Sequence, residues 1–144
     1  MQFTYHFLQV IEIILKLIIS ILCSNLLAYD RKLTFRNSFN HILVMTSFAV
    51  CLLALLWQQL PFAQSGSLSV IFFTSVIVAL GLFTSGLVLS QRGSISSIAL
   101  SASIWVAAGI GMSIGFSLYY TAIIATLIGY IFLRFIDKAV VDKS

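Results

Sequence analysis

Long apolar stretches are the feature that most limits what this chain can fold into. A helix needs about 20 mostly apolar residues to cross the hydrocarbon core of a membrane, and the 144 residues contain five stretches of about that length. Hydrophobic residues make up 60% of the sequence and charged residues 8%, far from the averages of soluble domains. We therefore predict an all-α integral membrane protein, a single domain built as a bundle of five transmembrane helices over about 7–29, 42–57, 68–89, 97–115 and 118–135.

The basic residues predict how this bundle is oriented. Lys16 apart, every Lys and Arg falls in alternate connecting segments, and cytoplasmic loops carry an excess of these residues. The N-terminus is therefore predicted outside and the C-terminus in the cytoplasm. This topology also accounts for the basic composition without a nucleic-acid partner. The strongest basic cluster is the first loop, a candidate cytoplasmic contact that contains Asp30, Arg31, Arg36 and, at the start of the next span, His41.

A stripe of small residues marks the fourth predicted helix. The stripe residues recur at every fourth position, so they share one helical face on which another backbone can approach closely in lipid. The third helix has a similar step from Gly81 to Ser85. Packing of these two helices against each other within the bundle, contact between copies of the chain, and a groove for a foreign helix all fit such faces. As the candidate partner-binding face we take the stripe of Ala99, Ser103, Ala107, Gly111 and Gly115.

Two ionisable residues interrupt the first apolar stretch. Glu12 and Lys16 are four residues apart, the acid first, which is the favourable order for an ion pair on one helical face. Charged groups inside a membrane are costly and usually face a bundle interior or a watery cavity. The pair therefore has three interpretations: a self-neutralised structural element, a part of an ion path, or a regulatory contact.

The sequence does not assemble the usual parts of an enzyme or metal site. His6 and His41 are the only histidines and fall at opposite ends of predicted spans, so no nucleophile has a base beside it. Cys23 and Cys51 lie inside spans and lack the clustered spacing of a zinc site. We expect no catalysis, no cofactor and no metal.

The region around the fourth helix resembles the MgtC/SapB family of bacterial membrane proteins. Residues 93–115, GSISSIALSASIWVAAGIGMSIG, have a glycine-bearing loop, a small-residue run, an aliphatic residue followed by Trp105, and then alternating Ala and Gly. Residues 79–89, ALGLFTSGLVL, are similar to the family's glycine-rich third helix, and residues 28–32, AYDRK, to the end of its first helix. The chain departs from the family at Ala28, Ala79 and Thr84, where glycine is usual.

This resemblance implies a protein of the bacterial inner membrane that is linked to growth in low magnesium and to survival inside host cells. The family resembles a set of regulators that act on other membrane machines, including the proton-driven ATP synthase. We therefore expect a non-enzymatic regulator whose partners are the lipid bilayer, another membrane protein or a second copy of itself. The alternative function is a small ion or solute transporter or channel that uses Glu12 and Lys16.

Overall fold

Five helices make up nearly all of the part of the chain that the structure describes. The computed structural model describes residues 2–29, 38–60, 66–93 and 95–141, and it has no strand in these ranges, which confirms the all-α prediction. Of the residues predicted for the first loop, Asp30, Arg31 and Arg36 lie outside the described ranges. The helices are α1 (Gln2–Tyr29), α2 (Ser38–Gln59), α3 (Gly66–Ser90), α4 (Ile95–Gly115) and α5 (Tyr119–Val141).

Four of these helices contain a stretch that is long and apolar enough to cross a membrane. In α5 the corresponding stretch, Tyr119–Phe132, is shorter. The chain is thus an integral membrane protein, while the fifth crossing and the orientation of the ends stay predictions. The four spanning stretches are Phe7–Leu27, His41–Gln59, Gly66–Ser90 and Ser97–Gly115.

The fourth helix is the centre of the bundle. It packs against α1, α2, α3 and α5, and 56% of its apolar stretch is buried, compared with 11% for α3. Two clusters of buried side chains surround it. One joins α1, α2, α4 and α5 through Leu27, Cys51, Leu55, Ile110, Ile114 and Ala122; the other joins α2 and α4 through Leu43, Leu100, Ile104 and Ala107.

A tight turn connects α4 to α5, close to the predicted boundaries at residues 115 and 118. The N–H of Leu118 donates to the carbonyl of Ser113 at 2.8 Å, and that of Ser117 donates to the carbonyl of Ile114 at 2.9 Å. This pair of bonds is the Schellman pattern, which satisfies carbonyls left free at a helix end. Its left-handed position is usually glycine, but here Ser117 adopts φ 63°.

Stacked rings join the same end of the bundle. Trp57, near the end of α2, stacks on Phe72, near the start of α3, with ring centroids 4.3 Å apart. Phe73 lies 5.8 Å from Phe116 of the α4–α5 turn. Since the end of α2 meets the start of α3, these two helices run antiparallel.

Candidate functional site

The small-residue stripe of α4 is the seam between α4 and α2. The side chains of Ser103 and Ala107 are fully buried, and Gly111 and Gly115 are buried with them. A Cβ placed on Gly111 would lie 2.2 Å from the carbonyl oxygen of Ser47 in α2. The absence of a side chain at Gly111 is therefore what lets the two backbones come this close.

The same seam continues one turn further along α4. A Cβ on Gly115 would lie 2.5 Å from the Cβ of Ala54 and 3.1 Å from the carbonyl oxygen of Cys51. The side-chain amide of Gln58 also donates to the carbonyl of Gly115 at 2.9 Å, which satisfies a carbonyl at the end of α4.

These contacts cover most of the stripe that the sequence predicts as a partner-binding face. Ser103, Ala107, Gly111 and Gly115 are covered by the chain itself, and Ala99 is half-buried, so a partner helix would first have to displace α2. Packing within the bundle, one of the three interpretations of the stripe, accounts for the geometry.

The pair of charges on α1 forms a salt bridge. The Lys16 ammonium lies 2.7 Å from a Glu12 carboxylate oxygen. The two partners differ in environment, because Lys16 is 4% exposed whereas the Glu12 side chain is 60% exposed. The Lys16 ammonium therefore points into the bundle, while the Glu12 carboxylate that pairs with it lies at the surface.

Hydroxyl groups continue the polar face of α1 beyond Lys16. Ser20 and Ser24 follow at the next two fourth positions, and both are fully buried. The Ser20 hydroxyl shares a 2.9 Å hydrogen bond with the hydroxyl of Ser47 and lies beside the Cys51 thiol. We call these residues, Lys16, Ser20, Ser24, Ser47 and Cys51, the polar seam.

One atom of the polar seam has no partner. The Ser24 hydroxyl is buried and forms no hydrogen bond in the described structure, and a buried polar group without a partner costs about 1–3 kcal/mol. Its neighbour Ser20 is satisfied by α2. The polar seam thus fastens α1 to α2 at Ser20 and leaves Ser24 free to accept or donate a further bond.

The hydroxyls of the polar seam, those of Ser20, Ser24 and Ser47, were not predicted as site residues. The signal was present, because Glu12, Lys16, Ser20 and Ser24 form an unbroken four-residue step on α1. Its contact with α2 had no comparable signal, since Ser47 is one of several hydroxyls in that helix. Among the described residues, no group of three His, Cys, Asp or Glu side chains comes together to hold a metal.

A second polar contact joins α3 to α4. The indole N–H of Trp105 donates to the Thr84 hydroxyl at 3.4 Å, and the Ser101 hydroxyl donates to the Thr84 carbonyl at 3.4 Å. Thr84 is one of the positions where the resembled family has glycine. Thr84 thus supplies an acceptor for the indole N–H of Trp105, whose side chain is partly exposed at the surface of the bundle.

Of the remaining predicted site residues, the structure describes His41. His41 is exposed near the start of α2. On α3, only Val76 and Thr84 are buried, and a Cβ on Gly81 or Gly86 would meet nothing within 4 Å. The glycines of α3 are therefore open, unlike Gly111 and Gly115 of the α4 stripe.

Comparison with known proteins gives one match. The family model described as MgtC family matches residues 17–141. The match includes the small-residue stripe and the hydroxyls of the polar seam, and it begins directly after Lys16. No curated protein and no solved structure matches the chain.

Proposed function

Because the chain belongs to the MgtC family, we propose that it is a non-enzymatic regulator in the bacterial inner membrane that acts by helix contacts on a partner membrane protein. The link to low-magnesium adaptation or virulence is carried over from the family resemblance. The protein requires no cofactor in this role. Its partner belongs to the class of membrane machines that includes the proton-driven ATP synthase.

The topology of the proposal has five crossings, with the N-terminus outside. The 15 residues of α5 before Arg134 extend for about 22 Å at 1.5 Å per residue, less than a hydrocarbon core of about 30 Å, so the fifth crossing requires local thinning of the bilayer or snorkelling of Arg134. Every Lys and Arg outside α1 then falls on the cytoplasmic side, in agreement with the positive-inside rule.

The open small-residue face of α3 is the observation that carries the proposal. Thr74, Gly81 and Ser85 lie along one side of α3, seven and four residues apart. Thr74 and Ser85 are exposed, and their hydroxyls donate to carbonyls of their own helix. A Cβ on Gly81 would meet open space. In lipid, small residues favour close approach of another helix. No helix in the described part of the chain packs against this side of α3 at Gly81.

The test is affinity capture from mild detergent with two matched leucine variants. Gly81→Leu fills the open face of α3, while Gly109→Leu fills an exposed position of α4 that also has nothing within 4 Å. We expect Gly81→Leu to lose a membrane partner, identified by mass spectrometry, that the wild type and Gly109→Leu retain. Capture of the same partner by both variants would refute docking through α3.

A transporter or channel is the second candidate, and the polar seam is the observation that favours it. A buried cation with hydroxyls at the following turns is the kind of arrangement found along ion pathways in membranes. The test is ion or proton flux into vesicles that contain the purified protein. Flux above that of empty vesicles, lost with Lys16→Met and kept with Thr74→Ala on the outer face of α3, would favour transport over regulation.

A further inference from the structure

An open groove runs between α2 and α3 on the surface of the bundle. It has a volume of about 500 Å³ and extends along α2 from His41 to Leu53. These twelve steps correspond to about 18 Å of helix, close to one leaflet of a hydrocarbon core about 30 Å thick. On α3 it is lined by Val76, Ala79, Leu80 and Phe83.

The lining of the groove is apolar apart from its end. Of the residues that line the groove between its ends, Thr46 carries a hydroxyl, and that hydroxyl already donates a hydrogen bond to the carbonyl of Ile42 at 2.7 Å. A ligand in the groove therefore meets carbon atoms, with the imidazole of His41 at one end. These surroundings fit a hydrocarbon chain better than a polar solute.

Positive charge lies beyond the His41 end of the groove. Because α2 and α3 are antiparallel, the end of α3 lies on the side where α2 begins. Arg92 is exposed in the turn that follows α3, and the end of that helix at Ser90 lies seven residues, about 10 Å, beyond Phe83. Glu12, the acid whose side chain the structure describes, lies in the N-terminal half of α1, two turns before Ser20, which pairs with Ser47 near the middle of α2.

The sequence strengthens this charge asymmetry. The segment directly before α2 contains three basic residues and one acid. Basic groups beside a membrane attract anionic lipids by about 1 kcal/mol for each Lys or Arg near the surface. An apolar groove of one-leaflet length that ends at cationic groups thus has the two parts of a site for an anionic phospholipid.

We propose that the groove between α2 and α3 binds one anionic phospholipid, with an acyl chain along Ala79 and Leu53 and the headgroup beside His41 and Arg92. The site is independent of the proposed docking face. At 100° per residue, the groove residues of α3 and the side that bears Gly81 and Ser85 point in nearly opposite directions. The lipid site and the partner contact are therefore separable by mutation.

The test is native mass spectrometry of the purified full chain with phosphatidylglycerol or phosphatidylcholine of the same acyl composition. Two variants change the site: Ala79→Phe fills the groove, and Arg92→Asn removes the charge while suiting the left-handed backbone at that position, φ 53°. Ala102→Phe is the matched control, since Ala102 is an exposed alanine of α4 outside the groove.

We expect the wild type to retain phosphatidylglycerol in preference to phosphatidylcholine, and Ala79→Phe to lose both lipids while Ala102→Phe keeps them. Arg92→Asn should weaken phosphatidylglycerol retention about fivefold, the equivalent of about 1 kcal/mol, and leave phosphatidylcholine unchanged.

Equal retention of the two lipids by the wild type would overturn the proposal, as would equal behaviour of the two phenylalanine variants. So would an unchanged phosphatidylglycerol retention in Arg92→Asn, which does not depend on refolding of a buried site. A dimer that Ala79→Phe converts to a monomer without loss of lipid would assign the groove to a second copy of the chain instead.

Discussion

Gly111→Ala is the substitution with the clearest structural consequence. The added Cβ would lie 2.2 Å from the Ser47 carbonyl oxygen, whereas ordinary contact begins at 3.4 Å, so α4 and α2 must separate locally by about 1.2 Å. The atom it meets belongs to the backbone, so no change of rotamer relieves the contact. Such overpacking costs about 1–3 kcal/mol, and alanine recovers about 1 kcal/mol of helix propensity relative to glycine. The difference is about 1 kcal/mol, by which we expect Gly111→Ala to lower the free energy of unfolding.

The measurement is reversible unfolding in mixed micelles by increasing fractions of sodium dodecyl sulfate, followed by circular dichroism. Gly109→Ala is the control, because it lies two residues away on the same helix and its Cβ would meet nothing within 4 Å. It should keep the wild-type stability or raise it. If the two alanine variants differed by less than about 0.5 kcal/mol, the usual scatter of surface substitutions, the close α2–α4 seam would be refuted.

Three further predictions use the same unfolding assay. Glu12→Gln leaves the buried Lys16 ammonium without its carboxylate and should cost about 1–3 kcal/mol; adding Lys16→Met should restore most of this, and a double variant no better than the single one would contradict the ion pair. Ser117→Gly relieves a left-handed serine and should add about 1 kcal/mol, so any loss would contradict the turn geometry. Thr84→Val removes the acceptor of the Trp105 indole and should cost about 0.5–1 kcal/mol. The fluorescence emission of Trp105 should change as well, and an unchanged emission spectrum would contradict this hydrogen bond.

Most of the fold followed from hydropathy. The predicted span 97–115 lies within α4, which also ends at Gly115. The predicted second span, 42–57, is shorter than α2, which continues to Gln59. Hydropathy measures how much of a helix suits hydrocarbon, whereas hydrogen bonding between successive turns continues past the apolar region. A helix can therefore continue past the residues assigned to it from the sequence, as α2 does past residue 57.

The candidate site was only partly predictable, because a helical face does not specify its partner. The spacing of Gly111 and Gly115 predicted close backbone approach, and the similar step on α3 suggested α3 as the neighbour, whereas both glycines pack against α2. In the same way Lys16 was recognised as costly in a membrane, while the burial that separates it from Glu12 depends on the arrangement of neighbouring helices. Ser20 shared its helical face and was overlooked because a single hydroxyl is common in membrane helices.

The difference between α4 and α3 decides how the proposed functions can be separated. The space beside Gly111 is occupied by the backbone of α2. A bulky residue at this position would therefore unfold the bundle and remove any activity, whether regulation or transport. Gly81 faces open space, so Gly81→Leu tests docking in a folded protein. The same reasoning applies to Glu12→Gln, because a loss of flux in a destabilised variant does not identify an ion path. A transport role therefore requires that flux stay absent in the variant that also carries Lys16→Met, once its stability has been restored.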